Sequence, residues 1–502
     1  MSAHHRRLAS LVMPRVDADH WSDPLYQEQV YGWIDRGIGG VGIFRGTLER
    51  TAEMIADLQA RAGRKLLIAA DFEHGLSMRM TEGGIAFPRA MALGKTLPGI
   101  TEHVARCIAE EARALGVHWN WAPVADINSN PQNPIVNVRG FGEDPKTVAD
   151  HALAYVAGTQ SMQVLACVKH APGHGDTAVD SHLSLPRIDI DRTTAEAREF
   201  VPFRACIEGG VRTVMMGHII VPFLDDQRPA SLSPMIVNDL VRTSWGFDGL
   251  ITTDALDMGA ITSAYSSAQA AVLAVLAGND VVLLPDNVDE AIDALITAYD
   301  AGEITEERLK DSERRWKDAK DFAGVGKRQE TVAVDQSTHA MIALQAANSA
   351  ISLVGDAALL PLTQHTQIAA FAVVDEHEAD AATAWFHYLA QATELDIDMG
   401  YIDGTIEERD LAGLQEGIVT ADVIVFAFFG AAVSHRGRLP GYDRIPEIMD
   451  ALCDGRPRIV VACGSPYGFD TISANLTMYA YSDTTPSLAA TVLRLIGRAP
   501  AA

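Results

Sequence analysis

Basic residues are in short supply: 40 Lys and Arg stand against 66 Asp and Glu in 502 residues, a formal net charge of -26. So acidic a chain repels nucleic acid and anionic membrane surfaces, and neither is expected as a partner. Cysteine is scarce too. Its five copies (Cys107, Cys167, Cys206, Cys453 and Cys463) are odd in number, scattered, mostly set in apolar stretches and free of any C-x-x-C pair. They read as buried thiols in a reducing compartment. No run of apolar residues reaches membrane-spanning length, and residues 8–13 are too short for a secretory h-region before Pro14, Arg15 and Asp17 interrupt them. A cytoplasmic location is expected, which makes the glycosylation-like Asn475-Leu476-Thr477 a coincidence. There is no Gly-rich phosphate fingerprint, since Gly464-Ser465-Pro466 is too short and Gly430-Ala431-Ala432 lacks the later glycine. No cofactor is expected. No internal repeat or low-complexity tract is found.

What is present is an ordinary globular composition, 48% hydrophobic and 21% charged, in a chain longer than one hydrophobic core usually spans. Short β-rich apolar runs at 41–44, 66–70, 117–124, 164–168, 211–216, 250–253 and 281–284 alternate with helical stretches, which predicts seven strands of a parallel sheet. Residues 101–115 place Val104, Cys107, Ile108, Ala112 and Leu115 on one helical face, as a crossover helix over a barrel should. The fold class is therefore α/β: a TIM-like (β/α) barrel over 1–330, a polar linker over 331–345, and an α/β sandwich over 346–502 with strands at 350–354, 368–374, 423–429, 459–462 and 478–481.

Polar clusters stand directly after these strands: Asp71 and Glu73, Asp126 and Asn128, Lys169 and His170, His218, and Asp254. Barrel enzymes gather their sites at the C-terminal ends of strands, so separate loops can converge on one pocket. The densest cluster is Lys169-His170-Ala171-Pro172-Gly173-His174-Gly175-Asp176-Thr177, followed by Asp180-Ser181-His182. An extended backbone from Asp180 to His182 puts both side chains on one face, where the carboxylate can orient and charge the imidazole. The histidine spacing matches no common metal-ligand pattern. The second strong signal is the pair of stretches Pro229-Ala230-Ser231-Leu232-Ser233-Pro234 and Gly246-Phe247-Asp248-Gly249-Leu250-Ile251-Thr252-Thr253-Asp254. A carboxylate ending an apolar strand is costly unless paired or used, so Asp254 is a nucleophile or a helix cap; Asp257 is the stronger candidate for a cap.

Together these motifs resemble glycoside hydrolase family 3, specifically its β-N-acetylglucosaminidase branch, with K-H-x-P-G-H-G, then D-x-H, then a T-D nucleophile motif. The likeness extends to Asp71 through Arg79, Phe87-Pro88, Ala122-Pro123-Val124, Arg139-Gly140-Phe141-Gly142 with Asp144-Pro145, and Ala277-Gly278-Asn279-Asp280. In the second domain it reaches residues 346–353 and Leu359-Leu360-Pro361-Leu362. The resemblance implies Asp254 as the nucleophile, His182 as acid and then base, Asp180 as its orienting partner, and Asp71, Arg79, Arg139, Lys169 and His170 as sugar contacts. Phe72, His74, Leu76 and Ala171 depart from the family pattern and bear on which sugar and aglycone are accepted.

The implied activity is cleavage of terminal β-linked N-acetylglucosamine from a small carbohydrate or muropeptide, with peptidoglycan recycling as the setting. An unpaired imidazole near pKa ~6.5 is mostly neutral at pH 7, so His182 needs Asp180 to act as an acid. Once deprotonated it is a base without negative charge, which admits phosphate as an acceptor; phosphorolysis is one alternative and a non-catalytic carbohydrate-binding barrel another. A substrate-assisted route through Asp375-Glu376 or Asp289-Glu290 is disfavoured, the first pair lying in the second domain and the second opening a helix.

Overall fold

The computed structural model describes residues 3–63, 65–177, 185–327, 334–374, 379–392, 397–430, 442–469 and 471–498. By its contacts the chain forms two compact units. The first comprises Met1–Ile85, Pro98–Val136 and Gly140–Gln336, and the second Ala86–Leu97, Asn137–Arg139 and Ser337–Ala502. Residues 336–345, expected as linker, are the first part of a helix, Gln336–Ala350. Among the described residues no helix is long and apolar enough to cross a membrane.

The first unit is a parallel barrel of β1 (Val12–Met13), β2 (Arg15–Val16), β3 (Gly40–Ile43), β4 (Leu67–Ala70), β5 (Trp119–Asn120), β6 (Leu165–Ala171), β7 (Thr213–Met216), β8 (Leu250–Thr253) and β9 (Val282–Leu283). Strands β2 to β8 pair in sequence order, β1 pairs with β9, and a parallel bridge from Thr252 to Val281 joins β8 to β9. Pro14, which has no N–H for a ladder, divides β1 from β2. Its carbonyl still accepts the Gly42 N–H at 2.9 Å, and Leu11 and Met13 accept Val282 and Leu284 at 2.8 Å. The two pieces thus act as one strand, and a ring of eight closes. The sequence predicts seven because Pro14 and Arg15 disguise the first.

Short, apolar strands suit a sheet covered on both faces: Val41, Ile43, Leu67, Ile68, Trp119, Val214 and Ile251 are all buried. Burying each such side chain contributes about 1.5–3 kcal/mol. Gly42 makes room inside the ring, because a Cβ there would stand 2.5 Å from the Trp121 ring. The helix Pro98–Leu115 buries the predicted face, Val104, Cys107, Ile108, Ala112 and Leu115, and Gly116 at φ +95° lets the chain leave it. At the N-terminal end of β9 the buried Asp280 accepts Ser312 Oγ at 2.7 Å and pairs with Arg242, Arg308 and Arg315. That cluster sits at the barrel's stability face, opposite the strand ends discussed below.

The second unit holds a six-stranded sheet of β10 (Ser352–Gly355), β11 (Ile368–Val373), β12 (Ile397–Ile402), β13 (Val423–Gly430), β14 (Arg458–Gly464) and β15 (Leu476–Tyr479), in the order β10-β15-β14-β13-β11-β12. Only the β10–β15 pairing is antiparallel. Alternate residues feed two cores, as the two-residue side-chain period of a strand requires. Ala370, Val425 and Val461 pack with Trp385, Leu488 and Val492, whereas Phe371, Phe426 and Val460 pack with Ile448, Met449 and Leu452. The sequence misses β12. It is an edge strand whose Asp398, Met399 and Tyr401 are exposed, so no apolar run marks it.

Candidate active site

Asp254 follows β8 directly and is partly accessible. Its backbone N–H donates to Met216 O on β7 at 2.9 Å, and its Oδ1 accepts the Ala255 N–H at 2.8 Å. The other face of Ala255 is held as well, since its carbonyl accepts His218 Nε2 at 2.9 Å while His218 Nδ1 meets Ser231 Oγ at 2.7 Å. Ser231 belongs to the Pro229–Pro234 stretch noted in the sequence, and its carbonyl accepts Asn279 Nδ2 at 2.8 Å. One purpose of both motifs is therefore to fix the backbone that fixes the carboxylate. Burial alone would raise the Asp254 pKa, but His170, His218, the Ala255 N–H and Lys169 outweigh it and hold the group below the usual carboxylate range. Neither Asp254 nor Asp257 caps a helix. The next one, Gly259–Thr262, starts beyond them with Met258 at its N-cap and no side-chain cap bond, which corrects the expectation for Asp257.

Lys169 and His170 lie within β6 rather than after it, because a register shift between Val168 and Ala171 carries the strand on. Asp126, fully buried after β5, accepts the His170 N–H at 3.1 Å, the His174 N–H at 2.8 Å and His170 Nδ1 at 2.7 Å. A carboxylate facing Nδ1 requires a proton there, which leaves Nε2 as the ring's second functional atom. Burial would raise the Asp126 pKa; the charge and hydrogen bonds of His170, with His174, reverse this and keep it low. His174 has the opposite fate. It is 1% exposed, and burial lowers its pKa to about 4, so the ring is neutral near pH 7.

Lys169, 2% exposed, donates to Asp71 Oδ1 at 2.7 Å and pairs with Glu73 at 2.8 Å. Arg79 Nη2 takes the other oxygen of Asp71, and the Arg79 guanidinium stacks 4.5 Å from the centre of the Phe44 ring. Burial would raise the Asp71 pKa too, but Lys169 and Arg79 overcome both burial and the nearby Glu73 and hold it low. A short carboxylate between two cations, at a strand end, is suited to accept from a diol while the cations donate to neighbouring hydroxyls.

Of the residues singled out by sequence, Asp71, Arg79, Lys169, His170 and Asp254 come from three strand ends of one barrel, and electrostatics couple Asp254 to His170 and Lys169. Asp180 and His182 lie outside the described residues, as do Asp375 and Glu376. Arg139 ends a short turn, Asn137–Arg139, that groups with the second unit. Asp289 and Glu290 fall in the first turn of the helix Val288–Asp300, and Asp289 pairs with Arg36. Asp126 and His218 stand at strand ends in the sequence, but no motif there assigns them a task. Both support a neighbour through a buried hydrogen bond, which leaves no spacing signature.

Residues 6–318 match the model for the glycosyl hydrolase family 3 N terminal domain. Beta-hexosaminidase A of Pseudoalteromonas piscicida is 32% identical over 383 residues, covering 68% of this chain and 64% of that protein. The beta-N-acetylglucosaminidase/beta-glucosidase of Cellulomonas fimi is 36% identical over 309 residues, covering 59% and 54%. The chain thus spans less than two thirds of the length of these two relatives. A solved family 3 beta-N-acetylglucosaminidase from Paenibacillus sp. str. FPU-7 superposes with a TM-score of 0.87 at 29% identity, over 99% of this chain and 97% of that one. With the matched region running through every strand of the barrel, this chain belongs to glycosyl hydrolase family 3.

Proposed function

We propose that the protein is a retaining β-N-acetylglucosaminidase that releases terminal β-linked N-acetylglucosamine from a small carbohydrate or muropeptide. The observation that carries this reading is the state of Asp254: an anionic, partly accessible carboxylate at a strand end, with one oxygen held by Ala255 and cationic or imidazole groups around it. Both relatives and the solved neighbour named above bear hexosaminidase or N-acetylglucosaminidase names, which supports the sugar assigned.

In the first step Asp254 Oδ2 attacks the anomeric carbon as the glycosidic C–O bond breaks, and His182, charged with help from Asp180, gives its proton to the departing oxygen. The sugar is then esterified to Asp254. In the second step neutral His182 takes a proton from water as the water oxygen attacks the anomeric carbon and frees the carboxylate. Two inversions give net retention. Asp71 accepts from sugar hydroxyls, and Arg79, Lys169, His170 and, by family likeness, Arg139 donate or orient around them. Peptidoglycan recycling in the cytoplasm is the setting that fits such a substrate and the five thiols.

A panel of β-linked aryl glycosides (N-acetylglucosaminide, glucoside, xyloside), assayed with and without phosphate, tests the reading. Free N-acetylglucosamine is the expected product in both conditions. Accumulation of N-acetylglucosamine 1-phosphate at low phosphate would make the enzyme a phosphorylase, and sugar binding without turnover would make it a binding protein.

A further inference from the structure

Among the carboxylic acids in the barrel unit, Glu199 is buried without touching the candidate site. It is 2% exposed and immediately precedes the helix Phe200–Glu208. Its Oε1 accepts Arg198 Nε at 2.7 Å and Ser129 Oγ at 3.3 Å, while Oε2 has no hydrogen-bond partner among the described residues. A buried carboxylate oxygen left unpaired is costly, so its place calls for a reason.

The surroundings supply one. Glu199 packs beneath the turn that follows β6: a Cβ on Gly173 would stand 3.0 Å from Glu199 Cβ and 3.2 Å from Oε2. Arg198, bonded to Glu199 through Nε, sends Nη2 to Asp176 Oδ2 at 2.6 Å. The same turn is gripped from the β5 side. Asn133 Nδ2 donates to the carbonyls of His174 and Gly175 at 2.8 Å each and meets Thr177 Oγ1 at 3.2 Å. A Cβ on Gly175 would fall 1.5 Å from Ile127 O, so only glycine fits there. Residues 173–177 are therefore a fixed root, and Asp180 and His182 follow it within five residues along the chain.

We propose that Glu199 is a positioning residue for acid catalysis: through Arg198 it holds Asp176, and thereby fixes the root from which the chain runs on to Asp180 and His182. The inference rests on the reading of His182 as the acid. The groups facing Glu199 are Arg198 beside it, Asp176 from the turn after β6, and Asp126 with Ser129 from the segment after β5. Burial pushes the Glu199 carboxyl up to about 7, with Arg198 opposing and Asp126 and Asp176 reinforcing. Below that pH Arg198 pairs, among the described residues, with Asp176 as its carboxylate partner while Glu199 is neutral. Above it two carboxylates share the guanidinium, and the hold on Asp176 weakens.

The test compares methyl and p-nitrophenyl β-N-acetylglucosaminides, because the methyl glycoside needs a proton on its leaving oxygen and nitrophenolate does not. Glu199→Ala is expected to lower kcat/KM about tenfold on the methyl glycoside and less than about twofold on the nitrophenyl one. Equal losses on both, or no loss on either, would overturn the inference. Glu199→Gln keeps the acceptor for Arg198 and mimics the protonated acid at every pH, so it remains informative if the alanine variant does not fold. The ratio of its kcat/KM to that of the wild type on the methyl glycoside, from which the shared titration of His182 cancels, is expected near one at pH 6 and about threefold higher at pH 8. A flat ratio with an active wild type overturns this inference alone. A wild type inert on both glycosides overturns the glycosidase reading and this inference with it.

Discussion

Asp126 grips His170 at two points, its backbone N–H at 3.1 Å and its ring Nδ1 at 2.7 Å, from a position with no solvent exposure. Asp126→Asn keeps the shape but replaces one acceptor oxygen with a donor that faces N–H groups. The tautomer of His170 is then no longer dictated, and a buried donor is left unpaired. Since a hydrogen bond to a charged group contributes about 1.5–3 kcal/mol, kcat/KM for p-nitrophenyl β-N-acetylglucosaminide is expected to fall roughly ten- to a hundredfold. Wild-type kinetics in this variant would show that the pair has no part in binding or turnover.

For Asp254, removal of the carboxylate is the direct test. Asp254→Ala should abolish turnover, and Asp254→Gly should regain part of it with azide, which can enter the space vacated and attack the anomeric carbon. The pH dependence carries a sign. The ionised form is the active one and its pKa is held below the usual range, so the nucleophile stays charged as pH falls from 7 to 5. Loss of kcat/KM on the nitrophenyl substrate across that window, with a midpoint near 6, would contradict this assignment.

His182→Ala is expected to hurt glycosides with poor leaving groups far more than nitrophenyl glycosides, whose departure needs little protonation. Paired kcat/KM measurements on a methyl and a nitrophenyl glycoside check it. Equal losses would count against the acid role.

Most of this fold is legible because its strands are buried on both faces and so read as apolar runs, each followed by the polar residues of the barrel mouth. The misses have local causes. Pro14 breaks the first strand's ladder and its apolar run together, and β12 lies on an edge, where exposed side chains replace a hydrophobic signal. At the candidate site, residues with an unusual charge at a strand end, Asp71, Lys169, His170 and Asp254, stand out against apolar neighbours. Supporting residues do not. His218 holds the backbone of Ala255 beside Asp254, and Glu199 is linked to Asp176 by way of Arg198, so neither has a sequence spacing that points to the residue it serves.

Lys169 offers a stability test of the same network. It is the cation buried between Asp71 and Glu73, and Lys169→Met would leave two carboxylates close together with Arg79 as the remaining cation on Asp71. Breaking a buried pair in this way costs about 3–5 kcal/mol near pH 7. The direction with pH follows from the depressed pKa of Asp71. In the wild type its contribution is present above its unfolded pKa, near 3.9, and is lost only as pH drops through the lower folded value. In the variant the missing charge lets the pKa of Asp71 rise, so its protonation relieves the repulsion with Glu73 before the wild type is affected. Urea unfolding at pH 7 and at pH 4.5 should therefore show a wide gap between variant and wild type at the first and a narrower one at the second. A gap that stays constant or widens on acidification would mean that Lys169 does not hold Asp71 in its charged form.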